Sequence, residues 1–282
     1  MLGTALCEAL SRRGVPYLAT DVDVDISDRE RVLAFVRSER PTLVLNCAAY
    51  TRVDDAEAHR DDAFRVNAVG AEVVAQAALE VGAPNVYFST DYVFGGGGSE
   101  PFSEEAATAA KGAYAESKLE GERRVLAAGR AYVVRTSWLF GENGPNFVRT
   151  MIALMGEKDE LRVVADQRGR PTYTRDLAEA TLDLVGLGRP AGAPGIYHFA
   201  NSGDVSWHEF ATGIRDACSR LGLPLRVARV LPVTTAEFPR PAPRPAYSVL
   251  DTARIEAFLG RKPRAWPEAL DTYIKNDFLV KT

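Results

Sequence analysis

The amino-acid sequence predicts an α/β fold built on a doubly wound parallel sheet. Short, nearly uninterrupted apolar runs alternate with segments that carry an apolar stripe at helical spacing. Unbroken apolarity indicates burial on both faces, which is typical of parallel strands covered by helices. The four strand-like runs are VPYLATD at 15–21, TLVLNCAA at 42–49, NVYFST at 85–90 and AYVVRTS at 131–137. This alternation favours a layered α/β domain.

The chain opens with a predicted helix rather than a strand. Apolar residues repeat at helical spacing from Leu2 to Leu10, and Gly14 then marks the end of the helix. Three further helices are expected between the strand-like runs, and each is followed by Gly or Pro. They cover 28–40, 62–82 and 113–129.

The pattern is looser after about residue 140. Helices are predicted near 146–155, 175–187 and 207–221, and strands near 161–164 and 195–200. The stretch EFPRPAPRPAYS at 237–248 holds too much proline for a helix or an inner strand, so we interpret it as an ordered surface loop. The stretch GGGGS at 95–99 predicts a mobile loop just after a strand end, where doubly wound folds bind ligands.

Composition excludes several classes of function. Of the 282 residues, 46% are hydrophobic and 26% are charged, and a net charge of -4 argues against binding to nucleic acid or an anionic membrane. No apolar run has the length of a membrane span and no signal-peptide pattern is present, so we expect a cytoplasmic protein. The cysteines and histidines lie singly, which predicts neither disulfides nor a metal site. They are Cys7, Cys47, Cys218, His59, His198 and His208.

The strongest chemical signal is a Tyr-Lys pair. Tyr114 and Lys118 stand four residues apart on a predicted helix, so their side chains project from one face. An ammonium group near a phenol lowers its pKa, which makes tyrosine usable as an acid at neutral pH. Thr90, at the carboxyl end of a strand, would add a hydroxyl hydrogen bond to a carbonyl oxygen. Such a pair is often only a solvated helix face, but its place after the STD of a buried strand favours a catalytic role.

Several longer stretches resemble the dTDP-4-dehydrorhamnose reductases, a family of extended short-chain dehydrogenase/reductases. They are LNCAAYTRVDDAE, FSTDYVF, YAESKLEGE, VRTSWLFG, NFVRTM, DQRGRPT, SW at 206–207 and RPAYSVLDTARI. The resemblance implies a Rossmann-like fold with a dinucleotide-binding domain at 1–140 and a mainly substrate-binding region at 141–282, some of whose segments return to the sheet. It also implies NAD(P)H-dependent reduction of the C4 ketone of dTDP-4-dehydro-L-rhamnose, giving dTDP-L-rhamnose.

The resemblance assigns catalytic roles to three residues. Tyr114 would donate the proton to the C4 alkoxide, Lys118 would hold the nicotinamide ribose, and Thr90 would polarise the carbonyl. Tyr114 and Lys118 would therefore also contact the cofactor. The other implied cofactor contacts are Gly3, Asp25, Ile26, Ala49, Tyr50 and Thr51.

Six residues are implied as substrate contacts. Two of them have a structural alternative: Trp138 is equally typical of a core residue, and Arg244 of a solvated loop arginine. The contacts of Asn146 and Arg170 are not assigned. The six are Thr90, Asp91, Trp138, Asn146, Arg170 and Arg244.

The start of the chain differs from the family pattern. In the family a first strand leads into a GxxGxxG loop, and MLG resembles the tail of that loop, with Gly3 as its last glycine. We therefore expect Met1 to be an internal methionine of a longer protein. Asp21 lies near the position where a carboxylate binds the ribose 2′-OH, which favours NADH over NADPH, although a solvated acidic loop is the alternative.

Two further differences from the family's sequence pattern leave alternative functions open. Gly95–Gly98 stands where many relatives carry Asp-Gly, and Ala115 replaces the usual glycine. Another dTDP-ketosugar is therefore an alternative substrate for a reductase or epimerase. A non-catalytic NAD(P)-binding regulatory subunit is a further alternative, against which the retained tyrosine argues. The dTDP-sugar is the expected partner, and a homodimer is possible.

Overall fold

The computed structural model describes residues 1–279 as ten α-helices and ten strands. The helices are α1 Leu2–Arg12, α2 Arg29–Glu39, α3 Arg60–Phe64, α4 Ala71–Glu80, α5 Ala113–Ala128, α6 Phe147–Glu157, α7 Thr174–Leu184, α8 Trp207–Arg220, α9 Ala253–Leu259 and α10 Trp266–Ile274. The strands are β1 Val44–Asn46, β2 Asn85–Thr90, β3 Ala131–Thr136, β4 Leu139–Phe140, β5 Glu160–Val164, β6 Arg168–Gly169, β7 Thr172–Tyr173, β8 Gly195–His198, β9 Val205–Ser206 and β10 Arg229–Val233.

A parallel sheet with the order β1-β2-β3-β8 forms the centre of the molecule. Every residue of β2 and β3 is buried. On one face Phe88 and Val134 pack with α1 and α7, and on the other Tyr87 and Val133 pack with α4 and α5. Alternate side chains therefore enter two different cores, as the unbroken apolar runs predict. The doubly wound α/β fold is confirmed.

The prediction of a strand at 15–21 is wrong. Residues 15–20 form no regular structure, and Leu18 and Val22 are 67% and 90% exposed. A strand needs a hydrogen-bonding partner, and within residues 1–279 the strand β1 pairs only with β2. The run at 15–20 does not pair with the open edge of β1, so its backbone lacks the hydrogen-bonded ladder that defines a strand.

The long helix predicted at 62–82 contains a π segment. Residues Arg65–Gly70 continue from α3 into α4 with π geometry. This segment lies against the sheet, because the Tyr87 hydroxyl donates to the carbonyl of Asn67 at 2.8 Å. A π segment is often associated with a functional site.

A second core lies in the later part of the chain. Phe140, Tyr173, Phe210 and Tyr273 are fully buried there and form a cluster of aromatic contacts. The strand β8 at 195–198, in contrast, pairs with β3 in the main sheet. The division at residue 140 stays a prediction.

The two predicted loops pack against each other. The proline-rich segment has no regular structure beyond its first residue, which ends a short 3₁₀ turn at Thr235–Glu237. A Cβ at Gly96 would lie 2.5 Å from the Cα of Pro245. Gly96 also has a φ of 84°, so both its backbone and its contact require glycine. The mobility of the glycine loop stays a prediction.

Candidate active site

The predicted catalytic residues meet at the carboxyl end of β2. Thr90 is the last residue of that strand, and a short 3₁₀ turn at Asp91–Phe94 follows it. The helix α5 carries Tyr114 in its first turn and Lys118 one turn later. Ligands of doubly wound folds bind at this edge of the sheet.

Close packing fixes the position of α5. The carboxylate of Glu57 accepts a hydrogen bond from the backbone N–H of Ala113 at 2.8 Å, which caps the start of the helix. Further along, a Cβ at Gly121 would lie 2.1 Å from the carbonyl oxygen of Asn67. Glycine at this position therefore lets the helix approach the π segment closely.

Tyr114 is a protonated phenol in this environment. Burial raises its pKa to about 12, and the neighbouring Thr90 hydroxyl opposes part of that rise. The ring of Tyr92 contacts Tyr114 edge-on, with centroids 5.9 Å apart. The expected lowering of the phenol pKa by Lys118 is not found, because desolvation favours the neutral form. Tyr114 is therefore set to hold a proton at neutral pH and to donate it.

Lys118 is 3% exposed and lies on the buried face of α5. Its Nζ donates to the carbonyl of Phe88 at 2.5 Å and lies 4.1 Å from the ring centroid of Tyr87. Burial lowers its pKa to about 7, while the carboxylate of Glu122 opposes the change. The hydrogen bonds found within residues 1–279 use one of the three N–H donors, so the ammonium retains donors for a ligand.

Asp91 is a buried carboxyl group beside this pair. Its two oxygens accept hydrogen bonds from the hydroxyls of Thr90 at 3.1 Å and Ser248 at 2.5 Å. Burial nevertheless raises its pKa to about 7. Ser248 ends the proline-rich segment, so Asp91 ties that segment to the end of β2.

Trp138 packs against a second tryptophan, and its contact with substrate stays a prediction. Its ring stacks on Trp207 with centroids 3.5 Å apart and planes 8° apart. A Cβ at Gly169 would lie 2.6 Å from the same ring. The half-buried indole is thus clamped by two other segments, which fits the wall of a pocket as well as a core residue.

Arg244 is held by an ion pair and is not a freely solvated loop arginine. Its guanidinium donates to Asp54 at 2.8 Å and lies 6.0 Å above the ring of Tyr92. It borders a cavity of about 130 Å³. The lining residues are Tyr92, Gly95, Lys111, Pro243, Arg244 and Pro245.

The remaining two predicted substrate residues have different surroundings. Arg170 donates to the Thr252 hydroxyl at 3.4 Å, and its buried Nε has no partner within the described part of the chain. Asn146 caps α6, accepting from the N–H of Arg149 at 3.0 Å and donating to the Tyr273 hydroxyl at 3.2 Å. The amide of Asn146 is thus used within the protein, and its contact with substrate stays a prediction.

Four of the predicted cofactor residues lie near the carboxyl end of β1. Gly3 lies at the start of α1, where a Cβ would lie 3.6 Å from the Cβ of Cys47, which follows β1. Ala49, Tyr50 and Thr51 continue from the same strand end. A helix N-terminus beside a strand end is the arrangement that binds the pyrophosphate of a dinucleotide, so the residues present fit such a cofactor.

The acidic loop at 21–28 contains no helix or strand. Asp25 accepts hydrogen bonds from the backbone and hydroxyl of Ser27, which hold the pKa of its carboxyl below the usual range. Ile26 packs against Gly70, where a Cβ would lie 2.7 Å away. Asp21 is exposed, and its N–H donates to the carboxylate of Asp23. The cofactor contacts of Asp21, Asp25 and Ile26 stay predictions.

The sequence interpretation missed the residues that support the site. Asn67 accepts from the Tyr50 N–H at 2.8 Å and donates to Ser117 at 3.0 Å, so it joins the cofactor-side loop to α5. Glu122 and Arg135 form a buried ion pair behind Lys118. Only Glu122 left a signal, since it lies four residues after Lys118 on the same predicted helix.

Two kinds of feature are absent from the described part of the chain. Residues 1–279 contain no group of three or more His, Cys, Asp or Glu side chains that would hold a metal ion. Over the same residues, no helix combines the length and apolarity that crossing a membrane requires.

The chain matches a known protein family over nearly its whole length. The family described as the RmlD substrate binding domain matches residues 1–278. The chain belongs to this family. A dTDP-4-dehydrorhamnose reductase of Streptomyces griseus is 42% identical to this RmlD-family chain over 96% of the chain and 88% of the relative.

Solved structures show the same fold for this RmlD-family chain. A crystal structure of a dTDP-4-dehydrorhamnose reductase from Clostridium acetobutylicum has a TM-score of 0.90 and 41% identity, covering 98% of this chain and 95% of that one. The Bacillus anthracis dTDP-4-dehydrorhamnose reductase in complex with NADP has a TM-score of 0.89 and 39% identity, with the same coverage of both chains.

Proposed function

We propose that this protein is an NAD(P)H-dependent reductase of the C4 ketone of dTDP-4-dehydro-L-rhamnose. The observation that carries the proposal is the assembly of Thr90, a protonated Tyr114 and a buried Lys118 at one strand end. Membership of the RmlD family and close similarity to named dTDP-4-dehydrorhamnose reductases supply the substrate class.

The roles of the chain's own residues follow from their surroundings. A reduced nicotinamide bound at this site would supply a hydride to the C4 carbon. Tyr114 donates its phenolic proton to the C4 oxygen, and the Thr90 hydroxyl hydrogen-bonds to that oxygen. Lys118 uses its remaining N–H donors to hold the nicotinamide ribose. The ketone, the reduced nicotinamide and the proton from Tyr114 would together give the alcohol and the oxidised nicotinamide, and the phenolate would regain its proton from solvent.

The substrate is proposed to lie between β2 and the proline-rich segment. Asp91 and Trp138 would contact the sugar nucleotide from opposite segments. Arg244 offers a guanidinium for bidentate binding of the diphosphate, and it must exchange Asp54 for that ligand. Arg170 has a buried Nε available for the same anion.

The choice between NADH and NADPH is a separate proposal. An exposed Asp21 at the start of the acidic loop favours NADH by repelling a 2′-phosphate. The Bacillus anthracis relative is a complex with NADP. We therefore propose that both cofactors bind and that NADH is slightly preferred. Cytoplasmic residence, a homodimer and the division at residue 140 stay predictions.

The test is consumption of NADH or NADPH by the purified protein with dTDP-4-dehydro-L-rhamnose. Stoichiometric oxidation of the cofactor with formation of dTDP-L-rhamnose supports the reductase. A sugar converted without net cofactor consumption contradicts it in favour of an epimerase. Binding of cofactor without any turnover contradicts it in favour of a regulatory subunit, and turnover of another dTDP-ketosugar alone corrects the substrate.

A further inference from the structure

A buried ion pair lies directly behind the Tyr-Lys pair. Glu122 follows Lys118 by one turn of α5, and both side chains are almost completely buried. The guanidinium of Arg135, from β3, donates to the two carboxylate oxygens of Glu122 at 2.9 and 2.7 Å. Arg135 and Glu122 are each 2% exposed, so the pair is withdrawn from water.

A wider network fixes the orientation of Arg135. The Nη1 atom of Arg135 lies 3.4 Å from Nε2 of His198, in β8. Nδ1 of that ring lies 3.1 Å from the carbonyl oxygen of Asp251. Nδ1 therefore carries the ring proton and Nε2 accepts from Arg135. Burial lowers the pKa of His198 to about 3, so the ring is neutral and does not repel the guanidinium. The face of Phe94 covers Arg135 at 5.1 Å.

A contribution to the stability of the fold does not by itself explain why this ion pair is buried. Removing two charges from water is costly, and replacing a buried ion pair by apolar side chains of similar volume is often neutral or stabilising. The position of Glu122, one helical turn from Lys118, suggests an electrostatic task instead. Negative charge at that distance favours the ammonium form of a buried lysine.

Groups from α5, from β2 and from the residue after β1 face Lys118. The carboxylate of Glu122 lies on its own helix, the thiol of Cys47 follows β1, and β2 contributes the ring of Tyr87 and the carbonyl of Phe88. Burial raises the pKa of the Cys47 thiol to about 12, so it is neutral at pH 7. Among these groups Glu122 alone is a carboxylate, and it is paired with Arg135.

We propose that the Glu122–Arg135 pair is a positioning device that favours the ammonium form of Lys118, one helical turn from Tyr114. Arg135 fixes the carboxylate in one orientation, and the carboxylate stabilises the ammonium. This inference rests on the proposed function for its catalytic consequence, since a neutral Lys118 would bind the cofactor ribose with fewer donors. The effect of Glu122 on the protonation of Lys118, in contrast, is a property of the protein without any ligand.

The test replaces both charges together, which avoids a lone buried charge. In the double variant Glu122→Gln with Arg135→Met, the pKa of Lys118 is measured by NMR on protein with isotope-labelled lysine. The chain has six lysines, and the Lys118→Met variant assigns the signal. Glu120→Gln is the matched control, because Glu120 lies on the same helix, is only partly buried and pairs with Arg124 at 2.7 Å.

We expect the pKa of Lys118 to fall by about one unit or more in the double variant and to stay unchanged in the control. The basic limb of the pH profile of kcat should move down by the same amount, and the KM for NAD(P)H at pH 8 should rise. A folded double variant with the Lys118 pKa and the pH profile of the natural chain overturns the inference. If the double variant does not fold, Glu122→Gln alone is judged by the same criterion.

The NMR measurement uses protein without cofactor and does not depend on turnover. A natural chain that reduces no ketosugar would refute the proposed function but leave the Lys118 shift measurable. An active natural chain whose Lys118 pKa does not respond to the double variant would refute the positioning role alone. The two failures are therefore distinguishable.

Discussion

The buried carboxyl of Asp91 should make the stability of the protein depend on pH. Its pKa rises from an ordinary 3.8 to about 7 in the folded protein, because burial outweighs the hydrogen bonds from Thr90 and Ser248. A raised folded-state pKa means that the protonated carboxyl contributes stability that is fully present below about pH 4. That contribution is lost as the pH rises through about 7. Replacing Asp91 with Asn removes the titration and keeps a group that can donate to Ser248.

The magnitude follows from the two pKa values. Asp91 is 2% exposed, so screening by solvent is small. A difference of about three pKa units is worth roughly 4 kcal/mol over the whole range. Between pH 5 and pH 7 the natural chain should therefore lose about 2 kcal/mol of unfolding free energy relative to Asp91→Asn.

The assay is urea unfolding of both proteins at several pH values. Other titrating groups cancel when the two curves are subtracted, provided that both variants show the same m-value. A difference in unfolding free energy that falls from pH 5 to pH 7 supports the reasoning. A difference that is constant over this range would mean that Asp91 is already ionised in the folded protein, and the argument from burial would be wrong.

Three other changes test the site. Tyr114→Phe should lower kcat by about 100-fold or more with little change in KM, as for a lost general acid, and a loss of less than tenfold in steady-state assays would remove Tyr114 from that role. Arg244→Gln should raise the KM for the dTDP-sugar by about tenfold while that for NAD(P)H stays the same, since a charged hydrogen bond is worth roughly 1.5–3 kcal/mol; equal changes in both constants would contradict a diphosphate contact. Trp138→Leu should cost about 1 kcal/mol of unfolding free energy beyond its lost area, because the stack on Trp207 disappears; a double-mutant cycle with Trp207→Leu that shows no coupling would count against the stack.

The elements that could be predicted from the sequence depend on local patterns. The strands β2 and β3 were predictable because six consecutive buried residues in each leave an unbroken apolar run. Tyr114 and Lys118 were predictable because a spacing of four places them on one helix face. The strand expected at 15–21 failed because pairing depends on a neighbour that the run itself does not specify.

The electrostatics of the site could not be predicted in this way. The pKa of Tyr114 is raised by burial of the ring, and Lys118 is not among the groups that shift it. One hydrogen-bond partner of Asp91 is Ser248, 157 residues further along the chain. Arg244 looked like either a ligand or a solvated side chain, and only the fold placed it against Asp54. Contacts of this kind arise from tertiary packing, which short motifs do not encode.

The most direct test of the central claim is transfer of deuterium from cofactor labelled at nicotinamide C4 to dTDP-4-dehydro-L-rhamnose, followed by NMR and mass spectrometry of the sugar. The account predicts one deuterium at C4 of dTDP-L-rhamnose for each molecule of cofactor oxidised. Product formed without deuterium at C4, or oxidation of the cofactor with an unchanged sugar, would contradict it.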